Sequence, residues 1–269
     1  MKNNSIKNLL LLGLVVIVSS CSKKLDLFPQ NDLTSADVYS TAAGYRQVLA
    51  KIYGGLATTG NVGPAGASDI QGLDEGSQSP FLRGFFNCQE LTTDEAVVSW
   101  NDQTIKDFHN LSYSSADPFL KGMYARPTYN IMVANEYLRE STDEKLAARK
   151  LSADDVNAIK ATRPEARFLR VFNYWVMMDL FGRSTFITEA NGVGTNLPQE
   201  ISRANLFTYI ETELKAIETE LKNPRTNEYG RVDKGAAWAL LARMYLNAQV
   251  YTGSARWADA ITYASKVIA

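Results

Sequence analysis

Apolar positions recur along this chain mostly at spacings of three and four, the mark of amphipathic helices. Within residues 35–56 they fall at Val38, Ala42, Tyr45, Leu49, Ile52 and Leu56, one helical face. Thr34 is placed to cap that helix, with Asp37 near the positive end of its dipole. Gly54 and Gly55 loosen its end, and from 54 to 84 no period survives. Eight of the chain's 17 glycines lie there, with Pro64 and Pro80. The stretch predicts a long irregular loop, a kind of segment that in compact domains usually carries function. Phe81, Phe85 and Phe86 read as apolar pins of that loop. Helical spacing resumes over 118–140, interrupted near Pro127, and a charged, Ala-rich run follows over 142–161. Thr162-Arg163-Pro164-Glu165 then reads as a capping box with Pro in the first turn. The helix it opens, over 165–181, is apolar on nearly all sides and so belongs in the core, and Gly182 ends it. A Gly- and Asn-containing connection spans 190–198. Ser202 caps a further helix with Leu206, Ile210, Leu214, Ile217 and Leu221 inward, stopping before Pro224.

The last segment carries a repeat signature. Trp238, Leu241, Ala242 and Tyr245 keep the W-x2-L-G-x2-Y spacing of a tetratricopeptide first helix, with Ala for Gly. Ala260 and Ala264 mark a second helix as small residues that let the paired helices approach, and its expected buried stripe is Trp257, Ile261, Ala264 and Ile268. One such hairpin cannot bury its own face and must stack on neighbours. The expected fold class is therefore all-α, built of tetratricopeptide-like helical hairpins with long irregular loops. The period is unbroken at Ala269, which reads as the N-terminal part of a longer chain.

Residues 1–20 differ from the rest. Lys2 and Lys7 precede an apolar run over 9–18, then Ser19-Ser20-Cys21. That is the layout of a signal peptide, and the run falls short of the roughly 20 residues a membrane-spanning helix needs. A Cys directly after small residues points to lipoprotein processing, with Cys21 as lipid attachment site and 21–269 as the mature α-helical domain, its repeat-like unit at about 234–269. An ordinary secreted chain with a Cys near its cut site is the alternative. Cys88 is the only other cysteine. With Cys21 lipidated it has no partner and reads as a small buried hydrophobe, and a Cys21–Cys88 disulfide is the competing possibility.

Charge narrows the field. Of 28 Lys and Arg, 26 remain after residue 20, against 29 acids. A mature net charge near −3 excludes a nucleic-acid binder or a polybasic membrane patch. Chemistry narrows it further: the one histidine, His109, has no motif around it, and no G-x-S-x-G, H-E-x-x-H, P-loop or Cys cluster occurs. No cofactor is implied.

Several blocks in order carry a family resemblance. They are Cys21 with LDLFP at 25–29, QELTTDEA at 89–96, EARFLR at 165–170 leading to DLFG at 179–182, SRA at 202–204, and KGAAWALLARMY at 234–245. Together they resemble the RagB/SusD family of nutrient-uptake lipoproteins, across essentially the whole chain. The resemblance implies an outer-membrane, surface-displayed, lipid-anchored protein. It would capture oligosaccharides, or peptides in some branches, for a SusC-type TonB-dependent transporter. It also implies an all-α scaffold of four tetratricopeptide-like helix pairs, with the ligand site on irregular loops, in a protein about twice this long. Ser22-Lys23-Lys24 stands where surface-exported members often carry acids.

A glycan site needs flat aromatic faces for sugar rings and amides or charges for hydroxyls. Trp100, Asn101, Asp102 and the neighbouring Gln103, with Arg83 and Asp94 nearby in sequence, supply that set, and Trp100, Asn101, Asp102 and Arg83 are the expected substrate-binding residues. Trp100 as a core or loop-packing residue is the competing reading. A protein-binding scaffold without a small ligand is the functional alternative. A glycoside hydrolase would need two acids from distant segments in one cleft. Carboxylates and amides between 94 and 107 suit calcium as a minor possibility.

Overall fold

The computed structural model describes residues 34–58, 60, 68–70, 73, 81–194 and 197–269. The chain separates into two compact units, 1–40 and 41–269. In the first, the described part is a single helical turn, α1 (Ser35–Val38), opened by a full capping box. Thr34 Oγ1 accepts from the Asp37 N–H, and the Asp37 carboxylate accepts from the Thr34 N–H at 3.0 Å. Cys21 lies outside the described residues, as does most of the expected loop over 54–84.

The helix expected over 35–56 is two helices. Thr41 is extended, and its hydroxyl accepts from the Gly44 N–H at 3.2 Å, so a second cap restarts the chain as α2 (Ala42–Gly54). The second unit continues with α3 (Phe81–Glu90), α4 (Gln103–His109), α5 (Pro118–Glu140), α6 (Asp143–Ala148) and α7 (Ala153–Phe181). After these come β1 (Ser184–Phe186), β2 (Gln199–Ile201), α8 (Arg203–Ile217), α9 (Lys234–Leu246), α10 (Ala248–Thr252) and α11 (Trp257–Ile268). Among the described residues the protein is thus all-α apart from one small hairpin. Phe81, Phe85 and Phe86 are residues of α3, Phe81 buried and Phe86 exposed, while most of the loop they are expected to pin lies outside the described residues.

α7 is the spine. α5 and α8 pack along it, and α2 lies against both α5 and α7. Its all-round apolar character explains the position: Phe168, Leu169, Val171, Tyr174, Trp175, Val176, Met177 and Met178 are all buried. Each large apolar side chain so placed contributes roughly 1.5–3 kcal/mol. That outweighs the ~3 kcal/mol cost of an interior proline, so α7 runs through Pro164 instead of starting there. Ser152 is the true cap, accepting from the Asp155 N–H at 3.1 Å. The Thr162 hydroxyl donates to the Ile159 carbonyl at 2.7 Å and meets Tyr137 Oη at 2.5 Å. α5 likewise passes unbroken through Pro127.

The β1–β2 hairpin pairs Ser184 with Ile201, Thr185 with Glu200 and Phe186 with Gln199, antiparallel. Sequence spacing missed it because three-residue strands carry no period. Phe186 seals it onto the scaffold, 4.8 Å from the Tyr209 ring. In the repeat-like unit α9 and α11 pair as expected, with α10 between them in the chain. The buried face of α11 is not the expected one. Ala260 is 8% exposed, whereas Trp257, Ile261 and Ile268 are 60%, 69% and 85% exposed. Small residues turn inward because they let α11 approach α9 closely, where Tyr263 meets Tyr245 at 5.5 Å. Among the described residues no helix is long and apolar enough to cross a membrane.

Candidate functional site

A small apolar cluster supports the segment that holds the expected site residues. Leu91, Ile105, Phe108 and Phe119 are its buried members, with Cys88, Ala96, Val98 and Leu120 packed against it. Ile105 and Phe108 are one turn apart on α4, which fixes that helix, and the chain between α3 and α4 alternates, Ala96 and Val98 half-buried, Val97 and Ser99 exposed. Trp100 follows on the outside. It is 59% exposed, which rules out a core role.

Arg83 of α3 lies beneath it. The guanidinium carbon stands 5.1 Å from the Trp100 ring centroid and 5.7 Å from that of Phe119. Asn101 and Asp102 are both exposed beside Trp100. Asn101 Oδ1 accepts from Lys106 Nζ of the following helix. Asp102 is the N-cap residue of α4, yet its side chain makes no capping bond, so its carboxylate faces out. Gln103 Nε2 donates to Asp107 Oδ1 at 2.8 Å. The arrangement offers a flat apolar plate, a planar cation stacked beneath it, an amide and a carboxylate. Of the four expected residues, Arg83 and Trp100 are brought into direct contact. Asp94 is exposed in the preceding turn. Phe119 was not legible in the sequence, since it reaches Arg83 only through the packing of α5 on α3.

The far half of α3 is tied to the spine. Gln89 Nε2 donates to one oxygen of Asp179 at 2.7 Å, and the other oxygen accepts from the Tyr251 hydroxyl of α10 at 2.6 Å.

Two clefts accompany this site. One, of about 640 Å³, opens between α2, α5, α7 and residues 222–231. On its wall the buried Glu165 accepts a two-pronged bond from Arg231, at 2.6 and 3.0 Å, and a 2.6 Å bond from the Tyr53 hydroxyl. Glu228, from a distant segment, also pairs with Arg231, at 3.3 Å. Both carboxylates are therefore held by one guanidinium. The second cleft, of about 630 Å³, is lined by Cys88, Tyr113, Tyr124 and Phe181 among others. Burial, reinforced by the charge of Asp117, pushes the Cys88 thiol up to about 12. His109 is exposed. Among the described residues no three His, Cys, Asp or Glu side chains gather into a metal-binding group, so the calcium alternative over 94–107 finds no such set.

No family model matches the chain. The chain is 37% identical over 273 residues to the starch-binding protein SusD of Bacteroides thetaiotaomicron. It belongs to the RagB/SusD family. That alignment takes in 100% of this chain and 46% of SusD, so the chain spans under half the length of the relative. A SusD superfamily protein of Parabacteroides distasonis superposes with a TM-score of 0.63 at 19% identity, over 88% of this chain and 45% of that one. Surface glycan-binding protein A of Bacteroides uniformis gives a TM-score of 0.62 at 19% identity, over 85% and 46%. These two likenesses establish the SusD-like all-α fold.

Proposed function

We propose that the protein is a non-catalytic, lipid-anchored binding protein of the outer-membrane surface. It captures an oligosaccharide on the Trp100 plate and delivers it to a SusC-type TonB-dependent transporter. The observation that carries this reading is the outward plate itself, an indole 59% exposed and backed by Arg83. The name of the 37% identical relative, a starch-binding protein, makes α-glucans the first ligand class to try. Flat pyranose faces would stack on the indole while Asn101, Asp102 and Arg83 meet ring hydroxyls. Cys21 would hold the protein at the membrane through its lipid, with more than one acyl chain needed for durable anchoring.

The test is isothermal titration of the full-length soluble protein, begun after Cys21, against starch oligosaccharides, other glycans and peptides. Binding without turnover is expected. Trp100→Ala should weaken it at least ~10-fold, as truncating an aromatic anchor does, with helicity unchanged. Undiminished binding in that variant would remove Trp100 from the site. Peptide binding alone would replace the ligand class.

A further inference from the structure

The site proposed above contains a residue whose task extends beyond ligand contact, and this inference rests on that reading. Arg83 lies over two rings at once, the exposed Trp100 at 5.1 Å and the buried Phe119 at 5.7 Å. Phe119 is 3% exposed and sits in the first turn of α5, its N–H held by the Asp117 carboxylate at 2.8 Å. One end of the contact is thus anchored in the core and the other is an indole facing solvent. We propose that Arg83 is a positioning residue, which holds the Trp100 plate in its outward pose before a glycan arrives by bridging it to Phe119.

The chemistry suits the guanidinium specifically. It is planar, always charged and weakly hydrated, so it stacks on aromatic faces where an ammonium acts only as a point charge. An indole on an irregular segment would otherwise lose side-chain freedom on binding, and ordering it beforehand removes that cost from the binding step. The Lys106 bond to Asn101 restrains the next residue in the same sense.

The test uses the full-length soluble protein labelled with 5-fluorotryptophan. The sequence contains four tryptophans, Trp100, Trp175, Trp238 and Trp257, and the Trp100 fluorine resonance is the one lost in Trp100→Phe. In Arg83→Met, without ligand, the Trp100 resonance should shift and broaden while the other tryptophan resonances, those of Trp175, Trp238 and Trp257 among them, stay in place and report an intact fold. Affinity for the oligosaccharide that the wild type binds should fall about 3- to 10-fold, the span of a cation–π contact at a partly exposed site. Arg83→Lys should lie between Arg83→Met and the wild type in both measurements. An Arg83 that only hydrogen-bonds the ligand would lose affinity with the free Trp100 resonance unmoved, and that result overturns the proposal. So does a moved resonance with unchanged affinity. Undiminished binding in Trp100→Ala would instead bring down the site reading, whereas the resonance of Arg83→Met, read without ligand, judges the ordering of Trp100 apart from it.

Discussion

Cys88 shows how much of a residue's behaviour is decided by its surroundings. Its thiol is packed against the Leu91, Ile105, Phe108 and Phe119 cluster and pushed up to about 12, so at pH 8 almost none of it is thiolate. Within residues 22–269 it is the only thiol. Iodoacetamide at pH 8 should label the folded protein at least ~100-fold more slowly than the protein in urea, since the thiolate is the reacting species. Equal rates would mean an open, ionised site. Trp100, Asn101 and Asp102 were readable one by one from their chemistry, since plate, amide and acid stand together in sequence. Phe119 was not, because its part depends on an approach across space. Cys88 was readable in kind, as an apolar residue, but not in degree: it is half-buried at a cleft wall.

Caps decide where elements begin, and they were the most legible signals in the chain. Thr34, Ser202 and Gly182 act as the sequence suggests: Ser202 Oγ accepts from the Asn205 N–H at 3.4 Å, and Gly182 ends α7 at a φ of 74°. Thr162 misled for a physical reason. A capping motif is a local preference of about 1 kcal/mol, and burial along α7 supplies several times that, so the helix continued through it. Ser152→Ala should therefore cost about 1 kcal/mol in urea unfolding, with faster hydrogen exchange at residues 154–156. A neutral result would return the helix start to Thr162. The α11 stripe misled differently. Counting apolar residues picks out the largest ones, whereas helix–helix approach selects the smallest, and Ala260 is the residue that went inside.

At the scale of the whole molecule, charged pairs tie distant elements and make stability depend on pH. Burial alone would raise the Glu213 carboxyl, but the bonds from Arg167, at 3.0 and 3.1 Å, and the charges of Arg167 and Arg170 outweigh it and hold it below the ordinary range. Glu140 and Glu211 are lowered in the same way, burial being outweighed by Arg149 and Lys145 for the first and by Lys215, Tyr245 and Arg256 for the second. A depressed carboxyl stabilises the fold above its unfolded value, about 4.3, and that stabilisation is lost as pH falls through the lower folded value. Asp117, raised by burial, works in the opposite sense. Urea midpoints should thus be nearly flat from pH 8 to about 5 and fall steeply below about 4. Glu213→Gln should lower stability at pH 7 by about 3 kcal/mol and flatten the acid limb. An unchanged limb would show that Arg167 and Arg170 do not set it. The clasp at Asp179 has a different kind of consequence. One carboxylate receives Gln89 from the site-bearing helix and Tyr251 from α10, so the seam between recognition and scaffold runs through Gln89. Everything the ligand would meet between 91 and 102 lies on one side of that seam. On the proposed reading the segment could be exchanged as a cassette, with Arg83 and Phe119 kept as its socket and the spine unchanged.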